Sequence, residues 1–266
     1  MQLKVLDKTQ ELGFVVYDGP SVFTGQSIIA IATGFQRVNN PKTGKMLQIW
    51  ILDKNTPPLE ALEEGSDENV CGSCKHRHFR SCYVNVANGP YQVYDSWRRG
   101  VYPKASAATL ELFKDRLVRL GAYGDPGAVP VMVWDSILSV ARGHTAYTHS
   151  WRRGGVQNHK KYCMASCDTL EEVEIALSRG WKPFYVRGEG EEVPESFFTC
   201  PASKEAGKRL DCASCLACRG GTHRAGQGVP TIIRHGPSWK VKFYDRGMKL
   251  YRQKKAYRSS GSQVAV

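Results

Sequence analysis

Three runs of apolar residues near the start of the chain predict β-strands. They cover residues 13–17, 27–33 and 46–52 and are rich in β-branched and aromatic side chains. Residues 39–44, between the last two runs, are rich in Asn, Pro and Gly, which favour turns, so we expect a hairpin with a long loop. An acidic linker that contains proline follows at residues 53–69.

Helical and strand patterns alternate from residue 105 onward. Leu110, Phe113 and Leu117 lie at i, i+3 and i+7, as on one face of a helix. A second helical stripe is formed by Val129, Met132, Val133, Ile137 and Val140. A third helix is expected to start at Asp168, with Glu171 completing a pair that resembles a capping box, and to end at Gly180. Strands are expected at residues 118–123, 144–149, 162–167, 182–187 and 231–235.

Two of these helices stand between strands at the spacing of β-α-β units, which favours parallel pairing. We therefore expect an α/β fold. It is either a partial (β/α) barrel or an open, mostly parallel sheet, with an N-terminal β-hairpin and cysteine-rich metal-binding insertions. The expected domains are an N-terminal β region with the acidic linker (1–70), the α/β partial barrel with both cysteine clusters (71–237) and a basic C-terminal tail (238–266).

The cysteine content changes this picture from a plain α/β protein to a metalloprotein. The 266 residues can bury a core without covalent links, so nine cysteines are not needed as disulfides. We find no secretion signal and no apolar run of about 18 residues that would span a membrane. Clustered cysteines in a cytoplasmic protein are more often metal ligands or catalytic groups, so we expect thiolate chemistry in the cytoplasm and no membrane partner.

The second cysteine group has a spacing typical of iron–sulfur proteins. Cys212, Cys215 and Cys218 form a C-x2-C-x2-C motif, and Cys200, followed by a proline, precedes them with eleven residues between. A tight triplet with a remote Cys-Pro is the arrangement of bacterial ferredoxins, whereas one zinc ion is usually held by two paired knuckles. A 4Fe-4S cluster is therefore favoured over zinc, which remains the alternative.

The first cysteine group is Cys71-x2-Cys74-x7-Cys82, with His76 and His78 close by. A zinc knuckle of three cysteines and one histidine would be closed and structural. A cluster held by three thiolates would instead leave one iron open to a substrate or cofactor. The two remaining cysteines, Cys163 and Cys167, are expected to be buried core thiols because they are about 13 Å apart on one strand.

Polar residues follow the predicted strands, where parallel α/β folds place their active sites. Asp125 and His149 are the candidate catalytic residues, although Asp125 is equally suited to cap a helix and His149 to be a core histidine. Tyr147, Ser166 and Arg187 are candidates for binding a cofactor.

Charge adds a possible partner. The net charge is +12, and residues 239–258 hold eight Lys and Arg against the single Asp245. Phe243, Tyr244, Tyr251 and Tyr257 lie among these cations. Such a segment can contact phosphates while its rings stack on bases, so nucleic acid is the expected partner. A solvated basic tail is the alternative.

The order of motifs resembles an uncharacterised family of cysteine-rich proteins from tailed phages and mobile elements. The resemblance covers most of residues 27–236. It is carried by both cysteine groups and by Gly124-Asp125-Pro126, Ala146-Tyr147-Thr148-His149, Ala165-Ser166 and Gly180-Trp181.

That family distantly resembles the partial barrel of radical SAM enzymes, in which a cysteine loop after the first strand holds a 4Fe-4S cluster with one open iron. The usual radical SAM spacing is C-x3-C-x2-C, from which Cys71, Cys74 and Cys82 depart.

The resemblance implies an iron–sulfur enzyme that uses S-adenosylmethionine on nucleic acid or nucleotides in the cytoplasm of a bacterial host. The alternative is a non-enzymatic nucleic-acid-binding protein stabilised by zinc or by iron–sulfur clusters.

Overall fold

The structure, a computed structural model, describes residues 12–36, 40–207, 209–222 and 228–261. Side chains of the last helix are described as far as residue 253, so those of Lys254, Lys255, Tyr257 and Arg258 lie outside the described residues. None of the helices in these ranges has the length and apolar character needed to cross a bilayer.

Within these described ranges, nine strands form one mixed sheet in the order β1-β2-β3-β4-β5-β6-β7-β9-β8. The strands are β1 (Gly13–Pro20), β2 (Ser27–Thr33), β3 (Met46–Asp53), β4 (Leu117–Tyr123), β5 (Gly143–Thr148), β6 (Met164–Cys167), β7 (Pro183–Arg187), β8 (Phe197–Thr199) and β9 (Val229–Ile233). The first three pair antiparallel, and every later pairing, beginning with β3 and β4, is parallel. The predicted hairpin and the mostly parallel α/β sheet are confirmed.

The helices lie in the connections between strands, except for the last helix, which follows the last strand. They are α1 (Pro58–Glu64), α2 (Glu68–Cys71), α3 (Lys75–His78), α4 (Gly89–Arg98), α5 (Ala107–Leu110), α6 (Val131–Leu138), α7 (Leu170–Ser178), α8 (Cys212–Cys215) and α9 (Ser238–Gly261). Almost every side chain of β2 and β3 is buried, as expected for strands that are covered on both faces. The core continues through Trp134, Trp151 and Trp181, which are almost fully buried.

Three local predictions need correction. Leu110, Phe113 and Leu117 do not share one helix: α5 passes into a short 3-10 turn, Asp115 takes a left-handed φ of 58°, and Leu117 opens β4. Helix α7 is capped by Thr169, not Asp168: the Thr169 hydroxyl accepts the amide of Glu172 at 3.1 Å. Strand β8 was not expected, and the last strand begins at Val229 rather than at residue 231.

The basic segment is a helix that packs against the first cysteine group. Tyr244 and Met248 of α9 are almost fully buried. Lys240 Nζ donates to the carbonyl oxygens of Cys82 at 2.5 Å and Val84 at 3.1 Å. The segment predicted as a separate tail is therefore in part an element of the fold. The boundary placed after residue 70 likewise separates two strands, β3 and β4, that pair in one sheet.

Gly247 provides a test of this docking. An added Cβ would stand 2.3 Å from Phe79 Cγ at the root of the ring, so helix and ring would have to separate. In an exposed helix, Gly→Ala stabilises by about 1 kcal/mol. Here we expect Gly247→Ala to lower the free energy of unfolding by about 1–3 kcal/mol, measured by urea denaturation, because overpacking outweighs helix propensity.

Gly154→Ala is the matched control, because a Cβ there meets no atom within 4 Å. A Gly247→Ala protein as stable as the wild type would contradict the docking of α9 through this contact.

A candidate site lined by both cysteine groups

The first cysteine group lies in the connection between β3 and β4. Cys71 ends α2, and the segment is held in place by an ion pair between Arg77 Nε and Asp67 Oδ1 at 2.5 Å. The backbone oxygen of Val70 accepts the amide of Asp125 at 2.7 Å, which ties this segment to the end of β4. The thiols are thereby positioned beside the carboxyl ends of the parallel strands.

The second group is fixed by backbone contacts to three parts of the sheet. Cys200 donates its amide to Thr231 of β9 at 2.7 Å, and Cys212 donates to Lys42 of the β2–β3 loop at 3.0 Å. The oxygen of Cys218 accepts the amide of Ala146 in β5 at 3.1 Å. The segment turns at Leu216, whose φ of 49° is left-handed.

Both groups line the same cavity, which has a volume of about 220 Å³. Its wall contains Cys71, Cys74 and Cys82 from the first group and Cys200 and Cys212 from the second. Cys218 is buried in a small apolar cluster with Met164, Phe184 and Ile232, against which Cys200 and Cys215 also pack. Cys163 and Cys167 are fully buried and are not among the lining residues, which confirms them as core thiols.

The thiols of each group raise one another's pKa. Burial raises the pKa of Cys71 well above its usual value, and the nearby Cys74 and Cys82 raise it further. Burial, with Cys74 next, raises the pKa of Cys82 to about 11, and burial with Cys200 raises that of Cys212 to about 11. Thiols packed in this way become thiolates together only when a cation compensates their charge. Clustered thiols are donors that soft metals such as zinc and iron prefer.

The spacing of the sulfurs bears on the kind of metal centre. In every trio of these cysteines, all of which the structure describes, at least one pair of sulfurs is more than 4.8 Å apart. A zinc ion holds its sulfurs at about 2.3 Å, so the sulfurs of a tetrahedral zinc site lie about 3.8 Å from one another. Among the described residues, no three thiols are therefore assembled as a single zinc ion would hold them.

Asp125 lies in the cavity wall and caps the turn Pro126–Ala128. Its Oδ1 accepts the amide of Gly127 at 2.8 Å, and its Oδ2 accepts the amides of His149 at 2.8 Å and Ser150 at 3.3 Å. Burial raises the pKa of the Asp125 carboxyl, and these amides oppose the shift. The arrangement matches the capping alternative and suits Asp125 to positioning more than to direct chemistry.

The other predicted site residues are distributed unequally. His149, Tyr147 and Ser166 line the cavity. The pKa of Cys218 is raised by burial, and a hydrogen bond from the Tyr147 hydroxyl opposes that rise. Arg187 is not among the lining residues; its Nη1 points to the carbonyl oxygen of Glu191 at 3.4 Å. His78 is exposed and also does not line the cavity.

Several lining residues were not predicted from the sequence. Arg119, in the middle of β4, donates from Nη2 to the Tyr83 hydroxyl at 2.8 Å, and Lys42 Nζ lies 3.2 Å from His235 Nε2. Arg234 completes this positively charged part of the wall. The signal that could have identified Arg119 is its charge, which interrupts the apolar strand pattern of residues 118–123.

Comparisons of the chain with family models, with curated proteins and with solved structures returned no match.

The hydrogen bonds of Asp125 predict a large stability effect. In Asp125→Asn, the side-chain NH2 group replaces one carboxylate oxygen and faces a backbone N–H group that this oxygen accepted. That buried backbone donor is left without an acceptor. We expect a decrease of about 1–3 kcal/mol in the free energy of unfolding, measured by urea denaturation. The control is Asp115→Asn, an exposed change in the left-handed region that Asn tolerates. Equal stability of the two variants would contradict this role of Asp125.

Proposed function

We propose that this chain is an iron–sulfur enzyme built on a partial (β/α) barrel that resembles radical SAM enzymes and acts on nucleotides or nucleic acid. The observation that carries the proposal is the single cavity lined by both cysteine groups and by residues at the ends of parallel strands. Thiols that were only core residues would have no reason to converge on a cavity wall.

The order of strands supports the barrel-like part of the proposal. From β3 to β7 the strands are adjacent in the sheet in the order of the sequence, and all pair in parallel. The first cysteine group lies in the connection after β3, the first of these strands, and begins at the end of α2. This is the position that the resemblance assigns to the loop holding the reactive cluster.

The surroundings of the first group favour an open iron over a closed zinc knuckle. Cys71, Cys74 and Cys82 supply three thiolates, one fewer than a four-iron cluster has irons. His76 Nδ1 is engaged with Ser81 Oγ at 2.9 Å and its other nitrogen lies toward Asp168, while His78 is exposed. Cys71, Cys74 and Cys82 would hold such a cluster with one iron free to coordinate S-adenosylmethionine, and the cluster, once reduced by an external electron donor, would supply reductive chemistry there.

The second group is suited to a closed, auxiliary centre. Cys200, Cys212, Cys215 and Cys218 provide four thiolates, one for each iron of a 4Fe-4S cluster. Cys218 is almost fully buried, Cys215 packs against the same apolar cluster, and Cys200 and Cys212 line the cavity.

The cations in the cavity wall indicate the class of substrate. Lys42, Arg119 and Arg234 face the cavity, and the carboxylate of Asp125 in the same wall is already occupied by backbone amides. Guanidinium and ammonium groups in a partly enclosed site bind phosphate oxygens strongly. A nucleotide, alone or within a nucleic acid, fits this arrangement.

Metal analysis tests the proposal. Protein purified without oxygen should be brown and contain iron with acid-labile sulfide, because thiolate-to-iron charge transfer absorbs visible light. Cys74→Ala and Cys215→Ala should each reduce the iron content by about half, since each interrupts one of two clusters. Cys163→Ala, a change of the same size in the core, should retain it.

Stoichiometric zinc with no iron in protein purified in this way would reject the iron–sulfur proposal and favour the second candidate function.

That second candidate is non-enzymatic nucleic-acid binding by the outward face of α9. Trp239, Phe243 and Leu250 are about half exposed on this face. The exposed cations Lys242, Arg246 and Lys249 recur on the same side at helical spacing. Rings that can stack on bases thus alternate with cations that can contact phosphates.

Replacing Lys242, Arg246 and Lys249 together by Ala tests this surface without removing Tyr244 and Met248, which hold α9 in place. We expect weaker binding of single-stranded DNA, measured by fluorescence anisotropy. The salt dependence should be flatter by about 0.7 for each phosphate that the variant no longer neutralises.

The control carries the same charge change at exposed Lys114, Lys160 and Arg179. If both triple variants bind alike, α9 is not the surface that binds DNA.

A further inference from the structure

Two histidines and one aspartate meet beside the first cysteine group. Ligand atoms of His76, His149 and Asp168 all lie within 4.8 Å of one another. They come from three separate places: His76 from α3, His149 from just after β5, and Asp168 from just after β6. No cysteine belongs to this set, so it is distinct from the thiol groups.

Neighbouring groups fix the orientation of His76. Its Nδ1 is hydrogen-bonded to Ser81 Oγ at 2.9 Å, which leaves Nε2 directed toward Asp168. The ring of Tyr244 stacks on His76 at 5.0 Å, and the ring of His149 meets it edge-on at 5.3 Å. Histidine ligands of metal ions are typically held in this way, through a hydrogen bond at the nitrogen that does not bind the metal.

Asp168 presents an unpartnered oxygen to the two rings. Its side chain is only 1% exposed, and Oδ2 accepts from Lys75 Nζ at 3.0 Å. Oδ1 has no hydrogen-bond partner among the described residues, and its distance of 3.6 Å from His76 Nε2 is too long for one. A cation between Oδ1 and the rings would give this buried oxygen the partner that it lacks.

We propose that His76, His149 and Asp168 bind one divalent transition-metal ion. Two imidazoles and one carboxylate are a common ligand set for zinc and ferrous iron, and three protein ligands leave coordination positions open. His76 and His149 line the cavity whereas Asp168 lies behind them, so the open positions face the cavity.

The local charges select the class of metal. Lys75 pairs with both Asp168 and Glu172, and Arg152 Nη2 lies 3.3 Å from the same Glu172 oxygen. Within this group of four residues, two carboxylates are balanced by two cations, so the group carries no excess negative charge to attract magnesium or calcium. The affinity comes from the imidazoles, which suit zinc and iron.

The ion gives the cavity a Lewis acid in addition to its cationic wall. An anionic oxygen of a bound ligand would complete the coordination, while Lys42 and Arg119 in the same wall contact other oxygens. This site does not depend on the thiol groups holding iron, because none of its ligands is a cysteine.

Manganese provides a paramagnetic probe that has little affinity for thiolates. We expect the full-length protein to bind one Mn²⁺ per chain, seen as loss of the free-ion signal in electron paramagnetic resonance. Zn²⁺ added in excess over the cysteine groups should release the Mn²⁺, since zinc binds the same ligands more tightly.

His149→Gln should weaken Mn²⁺ binding at least about tenfold, and it leaves the backbone amide that supports Asp125 unchanged. Asp168→Asn should have a similar effect. His78→Ala, which removes an exposed histidine of the same segment, is the matched control and should bind like the wild type.

Failure of the wild-type protein to bind one Mn²⁺ per chain saturably would overturn the proposal. So would equal binding by His149→Gln and His78→Ala, provided that thermal melting shows both variants folded. Because the iron content is measured separately, absence of this site and failure of the iron–sulfur proposal are distinguishable.

Discussion

Asp125 joins three segments of the chain at the carboxyl ends of β4 and β5. Its backbone amide donates a hydrogen bond to the carbonyl oxygen of Val70, next to Cys71. Its carboxylate accepts hydrogen bonds from backbone amides in the turn after β4 and after the end of β5. A buried carboxylate is tolerated only where several donors compensate for the removal of its hydration shell. The position of the first cysteine group relative to the strand ends depends on these bonds, as does the position of His149.

The cavity wall contains both thiols, which become negative when they bind a metal, and positively charged side chains. Each cysteine group would gather several negative charges on metal binding, and the cations Lys42, Arg119 and Arg234 stand in the same wall. Arg119 is half-buried, and its charge opposes the rise in the pKa of Cys212 that burial causes. The same cations can therefore stabilise bound thiolates and attract an anionic substrate. Helix α9 also contributes to the site, because the ring of its Tyr244 stacks on the ring of His76.

Much of the sheet could be predicted because its strands are continuous apolar runs bounded by turn residues, as in β2 and β3. The spacing of the two cysteine groups is visible within short segments of the sequence, whereas metal binding by them stays a prediction. The predicted helical stripe through Leu110 and Leu117 was wrong because Asp115 adopts a left-handed conformation. Periodicity alone does not reveal that the helix ends there.

Contacts between distant residues were the least predictable. In the sequence, the many cations of α9 outweigh the short buried stripe of Tyr244, Gly247 and Met248. The segment was therefore predicted to be a basic tail. The pairing of His76 with Asp168 joins a loop after β3 to the end of β6, and only the sheet order brings them together.

We propose above that the first cysteine group holds a cluster with one iron open to the cavity. Mössbauer spectroscopy of protein loaded with isotopically enriched iron tests it most directly, before and after addition of S-adenosylmethionine. The account predicts that one iron site per chain changes its isomer shift and quadrupole splitting, while the remaining sites keep theirs. A spectrum that S-adenosylmethionine leaves unchanged, in protein with a full complement of iron, would contradict it.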